Sequence, residues 1–180
     1  MSQQPGRYQR TTSGLVGAMI VTLLAVGGFV GFRALNRNDA SRPVPTVPAS
    51  QVAQVAKAAR ADGLIAPLPV PLPQGWRITS LSYRPGVAPT WHVGMLTADQ
   101  QYVGIEERRE SVGDMVTKYV DKRATKGSTR ALEGRQWQTW TDDGGDYALT
   151  SRIGQFTYLV GGSAARKDVE TLLAALNLNP

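Results

Sequence analysis

The sequence predicts an α+β fold: a single N-terminal transmembrane helix, then a small domain of mainly antiparallel sheet, about six strands, covered by helices. Three observations lead there. An uncharged run, GLVGAMIVTLLAVGGFVGF, fills Gly14 to Phe32. Past Gly75, segments with an apolar side chain at every second position alternate with segments repeating at three and four. Short connections between neighbouring strand-like segments imply antiparallel pairing, with the helices as a second layer.

The apolar run has 19 residues. At about 1.5 Å per residue, a helix of that length matches the roughly 30 Å hydrocarbon core of a bilayer. Ala34 and Leu35 can extend it, so 14–35 is assigned as the span and 1–13 as a cytoplasmic tail. A buried core helix of this length normally keeps a polar face, and this one has none. Arg33 and Arg37 follow it and can snorkel to the headgroups. The run exceeds the roughly 7–15 apolar residues of a cleaved signal peptide. The best small-residue cleavage pattern, Val47-Pro48-Ala49, lies well past its end, so an uncleaved anchor is expected. Gly27-x-x-x-Gly31 would let two such helices approach closely, although glycine is common in membrane helices without pairing.

The flanking charges do not choose an orientation. Arg7, Arg10 and the α-amino group stand on one side; Arg33, Arg37 and Arg42 stand on the other. A Pro-rich stalk and the lack of cysteine suit an envelope protein, so the C-terminal domain is expected outside the cytoplasm.

Charge and composition then exclude whole function classes. The net charge is +6, but residues 1–42 hold five arginines against Asp39, leaving only +2 for the remainder. Mixed signs along that remainder make no basic face for a phosphate backbone, so no nucleic-acid partner is expected. With no cysteine and one histidine, thiolate metal sites, disulfides, thiol nucleophiles and lipidated cysteines are all excluded.

Residues 36–50, NRNDASRPVPTVPAS, read as a stalk, because Pro43, Pro45 and Pro48 favour extended polyproline II. Arg42-x-x-Pro45-x-x-Pro48 also matches a ligand for aromatic-lined grooves, a pattern that any Pro-rich stalk produces by chance. Residues 51–74 comprise a helix and a Pro-rich lead-in. Ser50 is a candidate cap, Val52, Val55, Ala56 and Ala59 form an apolar stripe, and Gly63 suits the C′ position. Pro67, Pro69, Pro71 and Pro73 recur at period two, which forbids a ladder and gives an extended segment.

The domain proper is placed at 75–180. Trp76–Tyr83 alternates with one slip and reads as a strand with a bulge. Residues 90–97 set Trp91, Val93 and Met95 on one face, and 101–109 answer with Val103 and Ile105; the turn at 98–100 makes them a hairpin. Ser111 and Asp114 form a capping box for a helix carrying Val112, Met115, Val116, Tyr119 and Val120. Gly127 ends that region, and 129–141 reads as one extended stretch broken by Gly134. The Asp142–Gly145 turn leads to 146–153, Gly154 turns the chain into 155–160, and a last helix buries Val169, Leu172, Leu173 and Leu176. Each half, 76–123 and 129–176, reads as strands followed by a helix, without residue identity between them.

The string Trp91…Tyr102-Val103-Gly104-Ile105-Glu106, the Asp143-Gly144-Gly145 turn and the Leu172–Leu176 closing helix carry a resemblance. With the anchor and stalk, they resemble the actinobacterial membrane proteins grouped as domain of unknown function 4245. That resemblance implies an inner-membrane-anchored domain facing the envelope, and it brings no catalytic residues. The strand and helix order is also similar to small extracytoplasmic α+β domains of regulatory and lipoprotein-like envelope proteins, an architectural likeness that gives no function.

Candidate chemistry is sparse. His92 stands between Trp91 and Val93, with no Gly-x-Ser-x-Gly elbow in the chain, and reads as an ordinary strand histidine rather than a triad member. No Ser-x-x-Lys pair or Gly-rich phosphate loop occurs. Asp142, Asp143 and Asp146 lack the spacing of a calcium loop and suit a hairpin turn. Glu106, Glu107, Arg108, Arg109 and Glu110 read as a solvated strand end with local ion pairs. No catalytic, cofactor or metal residue is assigned. Trp76, Trp91, Trp137 and Trp140 read mostly as core. Trp137 and Trp140 are three apart, so a regular strand sends them to opposite faces, and these two are the candidate surface aromatics.

The expected protein is therefore a non-enzymatic, single-pass membrane protein. Its extracytoplasmic domain would bind another envelope or membrane protein, or a cell-wall component. Two rivals remain: an envelope hydrolase using carboxylates, and a cytoplasmic membrane-tethered regulator with the topology reversed.

Overall fold

The computed structural model describes residues 44–179, which lie in one compact unit. The run Gly14–Phe32 lies outside the described residues. Among the described residues, no helix is long and apolar enough to cross a membrane.

The chain runs α1 (Ala49–Ala61), β1 (Arg77–Arg84), β2 (Thr90–Leu96), β3 (Tyr102–Arg108), α2 (Val112–Tyr119) and β4 (Thr125–Leu132). It continues through β5 (Arg135–Thr141), β6 (Tyr147–Ile153), β7 (Phe156–Gly162) and α3 (Arg166–Ala175). The strands form one sheet in the order β1-β2-β3-β7-β6-β5-β4, antiparallel throughout. Three of its features match the sequence reading: the β2–β3 hairpin, the irregularity in β1 between Ile78 and Ser80, and the helix that Ser111 caps.

The sheet has seven strands rather than about six. The stretch 129–141 is a hairpin, β4 and β5, closed at Glu133 (φ 49°) and Gly134 (φ 72°). Two left-handed residues are what a two-residue hairpin turn needs. Asn-Gly or Asp-Gly would have announced the turn, whereas Glu-Gly conceals it. Gly127 does not end the preceding region. It lies inside β4 at a register irregularity, with Thr139 Oγ1 of the neighbouring strand crowded against it. At α1, Pro48 occupies the cap position and no side chain caps the helix, so Ser50 does not do so.

Alternation divides the sheet into two faces. The first carries Trp91, Val93, Met95, Val103, Ile105, Trp137, Leu149, Tyr158 and Val160 and is the main core. Ala56 and Ala59 of α1, and Val169, Leu172 and Leu173 of α3, close over it. The second face carries a smaller cluster in which Met115 of α2 meets Ala148 and Leu159, with Tyr119, Val120 and Trp140 packed around it.

An extended strap, residues 64–69, crosses the first face between α1 and α3. Its prolines have no N–H, and Leu64 and Ala66 are buried, so its backbone groups need partners outside a ladder. Side chains supply them. Glu107 accepts from the Ile65 and Ala66 N–H groups, each at 2.9 Å. Arg60 donates to the Ile65 and Ala66 carbonyls, and the Trp91 indole donates to Pro67 O at 3.2 Å. Beyond it, Val70 N–H donates to Ala175 O, joining the chain to the end of α3.

Across the second face, Gly94 pairs with Gly104 and Gly104 with Gly161, so three adjacent strands carry no side chain in one row. A Cβ at Gly161 would come within 2.7 Å of Ala148 Cα and Tyr147 O, neither of which can swing aside. Gly161→Ala is therefore expected to destabilise the fold by about 1–3 kcal/mol. Gly113, in α2, has nothing closer than 3.8 Å to its added methyl, and Gly113→Ala is expected to stabilise by up to about 0.5–1 kcal/mol. Urea unfolding of both variants checks the contrast; equal effects would contradict the packing of β7 on β6.

Candidate functional site

Helix α2 leaves two parts of the second face open, one on each side of it. On the β4–β6 side lies a groove of about 510 Å³. Trp140, Gln138, Gln136, Thr129, Thr150 and Arg152 line it, with Gly113 at the helix end. Trp140 is half-buried and its indole N–H is already given to Thr150 Oγ1 at 2.8 Å. What it offers a ligand is ring surface. Gln138 is tied to Thr129 Oγ1, Gly127 O and Thr139 O, so besides Thr129 the exposed polar side chains at the groove are Gln136, Lys126 and Arg152.

The two candidate aromatics therefore separate. Trp137 belongs to the first face and is fully buried, with its indole N–H unpartnered among the described residues. Trp140 lines the groove. Alternation anticipated the split, and the first-face core took Trp137.

On the β1–β3 side, a groove of about 310 Å³ is lined by Ser82, Arg84, His92, Glu106, Arg108, Lys118 and Tyr119. His92 is not a solitary strand histidine. The β2–β3 register sets it directly opposite Glu106. His92 Nδ1 and Glu106 Oε1 are 2.6 Å apart, and His92 Nε2 and Ser80 Oγ are 3.0 Å apart. Arg108 donates to the other Glu106 oxygen through Nε at 2.9 Å, with Nη2 at 2.8 Å from it. Three adjacent strands thus present serine, histidine and carboxylate in one hydrogen-bonded line.

Tyr102 lies beside this line, its ring laid over the Gly94–Gly104 pair; a Cβ at either glycine would meet it. Burial pushes the Tyr102 phenol up to about 12, and Glu106 adds to the shift. The phenol stays protonated through the neutral range.

The charged stretch 106–110 is not a solvated strand end. Glu106 is 5% exposed and Glu107 not at all. Register explains both: β3 lies next to the sheet centre, so its odd residues face the core under the strap and its even residues face the second side. Glu107 accepts Tyr158 Oη–H at 2.6 Å in addition to the two strap amides. Only the end of the stretch behaves as expected, with Glu110 3.5 Å from Lys118 at a partly exposed site.

Asp142, Asp143 and Asp146 form the β5–β6 turn. Asp142 Oδ1 accepts the Asp146 N–H at 2.7 Å, and Gly145 has φ 93°. Burial, then the charge of Asp142, raises the Asp146 carboxyl above its usual range. Both carboxylates border a third open groove of about 540 Å³ beside Ala165 and Arg166. No group of three metal-ligating side chains occurs among the described residues.

Comparison with known families agrees with the motifs that the chain carries. The family model described as protein of unknown function (DUF4245) matches residues 7–176. The chain belongs to this family. A comparison with curated proteins returned no match. Membership spans the folded unit together with most of the segment before it, and it assigns no chemistry to either groove.

Sequence reasoning missed the Ser80–His92–Glu106 line although two of its members were accessible to it. A hairpin turning at 98–100 pairs residues whose numbers share one sum, and that sum joins His92 to Glu106. Ser80 was hidden by the β1 bulge, which shifts its partner by one residue.

The buried Glu107 carboxyl yields a pH prediction. Burial raises it above the ordinary 4.5, against the opposing pull of hydrogen bonds from Tyr158, Ile65 and Ala66. The folded chain then holds that proton more tightly than the unfolded chain, so stability falls as pH rises from 4.5 through the folded value. Glu107→Gln removes this dependence. Urea unfolding at pH 4.5 and 7 should show the wild type losing stability relative to the variant on going to the higher pH; the opposite sign would mean that the hydrogen bonds dominate.

Proposed function

We propose that this chain is a membrane-tethered binding protein of the cell envelope. Gly14–Phe32 crosses the bilayer, the Pro-rich stalk spaces the folded unit from it, and the groove beside Trp140 receives a partner. The anchor rests on 19 uncharged residues that match the hydrocarbon thickness. The groove is the observation that carries the binding role. An aromatic face with no free N–H, bordered by the exposed Gln136, Lys126 and Arg152, suits a polymer with an apolar edge and hydrogen-bond acceptors. A peptide segment of an envelope protein and a cell-wall glycan both have that character. The groove is open to solvent, which suits a polymer segment better than a small molecule enclosed on all sides.

Topology is tested with a single cysteine, which this cysteine-free chain reports without background. Asp143 is exposed in the β5–β6 turn. Asp143→Cys in intact cells should react with a membrane-impermeant maleimide. Reaction only after lysis would put the folded unit in the cytoplasm and favour a tethered regulator.

Binding is tested by a photoreactive amino acid at Gln138, inside the groove, and at Val87, exposed on the β1–β2 loop. Irradiated cells should yield a discrete adduct from position 138 that is weakened by Trp140→Ala. Identical adduct patterns from both positions, or none from either, would remove the groove as a binding surface.

A further inference from the structure

We propose that Ser80, His92 and Glu106, with the Tyr102 hydroxyl, form a second and separate site that hydrolyses carboxylic esters. It lies on the opposite side of α2 from the Trp140 groove and does not depend on that groove's role.

The order of contacts is the one nucleophilic catalysis requires. Ser80 Oγ stands 3.0 Å from His92 Nε2, and His92 Nδ1 stands 2.6 Å from Glu106 Oε1. With Nδ1–H donated to the carboxylate, Nε2 is left as the acceptor that faces the serine. Glu106 is a positioning residue. Arg108 grips its second oxygen, so the carboxylate cannot rotate away from the imidazole. The three side chains come from three adjacent strands, which gives the line the rigidity of the sheet.

The glycines let an oxyanion donor lie close to the serine. At Gly94, a Cβ would collide with Ser80 Oγ and would lie 3.2 Å from Tyr102 Oη. Ser80 Oγ and the Tyr102 phenol therefore lie close together over the Gly94 backbone, which the Tyr102 ring itself covers. A carbonyl approaching Ser80 Oγ from the exposed edge of His92 has the phenol beside it as a hydrogen-bond donor. The His92 side chain is 21% exposed, which leaves its ring edge open to a substrate. Arg84 and Lys118 border the adjoining groove, so an ester with an anionic group is the favoured kind.

In the first step Ser80 Oγ attacks the ester carbonyl carbon and its proton passes to His92 Nε2. The bond to the leaving alcohol breaks, and Nε2 returns the proton to that alcohol. Water then attacks the acyl-serine, giving its proton to Nε2, and Ser80 takes the proton back as the carboxylic acid departs. No other reactant is needed.

The test uses the full chain in detergent and a fluorophosphonate, which phosphonylates an activated serine with loss of fluoride. Mass spectrometry should place one adduct on Ser80. Ser80→Ala should abolish it, His92→Gln should slow it at least about a hundredfold, and Tyr102→Phe should slow it measurably. The positioning role has its own readout. The chain's one histidine should give a single far-downfield Nδ1–H proton resonance that vanishes in Glu106→Gln. Thermal unfolding confirms that each variant is folded. No adduct on folded protein, an adduct on another serine, or an unchanged rate in His92→Gln would each overturn the site, while leaving the Gln138 crosslink unaffected.

Discussion

A single buried carboxylate ties the strap to the sheet. Glu107 accepts two strap amides and a tyrosine hydroxyl from beneath the first face. Burying a carboxylate costs several kcal/mol, by the order usual for ions taken out of water. Pro67 and Pro69 keep the strap from donating a regular ladder, and Leu64 and Ala66 draw it inward, so its amides need an acceptor elsewhere. Two adjacent N–H groups pointing the same way are matched by the two oxygens of one carboxylate. Ala66 adopts φ 47°, a left-handed geometry at a residue with a side chain, which turns its amide to that position. Removing the acceptor would leave donors buried without partners, each costing about 1–3 kcal/mol. The cover of the first face, from α1 through the strap to α3, depends on that contact.

The adjacent residue shows how one strand serves two purposes. Glu106 and Glu107 differ by one position and therefore by a whole sheet thickness. Glu107 stabilises the cover; Glu106 meets His92 and Arg108 on the other side. A one-residue slip of β3 would exchange them, placing an arginine-bound carboxylate under the strap and the core residues in solvent. Register is consequently strongly specified, and the Thr97–Gln101 turn that sets it is closed by Thr97 N–H to Gln101 O at 2.9 Å.

Much of the fold was legible because it depends on local alternation. Trp91, Val93 and Met95 against Val103 and Ile105 identify the β2–β3 hairpin and its inner face, and Ser111 with Asp114 identifies the start of α2. The missed elements share a cause: their signal lies in backbone geometry or distant contacts. Glu133 gives no sign that it will accept a left-handed conformation, so β4 and β5 read as one stretch. Nothing near Glu107 in sequence shows that Ile65 and Ala66, some forty residues earlier, will consume its charge. The candidate site was half legible for the same reason. Alternation separated Trp137 from Trp140, whereas the Ser80 contact needed the bulge to be placed to the residue.

That both proposed sites fall on the second face follows from how little of it the chain covers. The first face is sealed by two helices and the strap, and its side chains are committed to packing. On the second, α2 has eight residues and its buried side chains are Met115 and Val116, enough to cover β6 and β7 but not the strands outside them. A protein that needed only a stable core would fill the outer strands with hydrophilic side chains of no particular arrangement. Here the outer strands instead carry a paired glycine floor, a half-buried tryptophan with a committed N–H, and an ordered line from Ser80 to Arg108. Gly94 and Gly104 are costly in the middle of strands, where glycine is the least favourable choice for the backbone. Part of that cost is recovered by Tyr102, whose ring covers the bare backbone and whose hydroxyl is brought beside Ser80 and Glu106. Gly94 and Gly104 weaken the sheet where they bring polar groups together, which is the arrangement expected of a surface shaped for a ligand and not for stability alone.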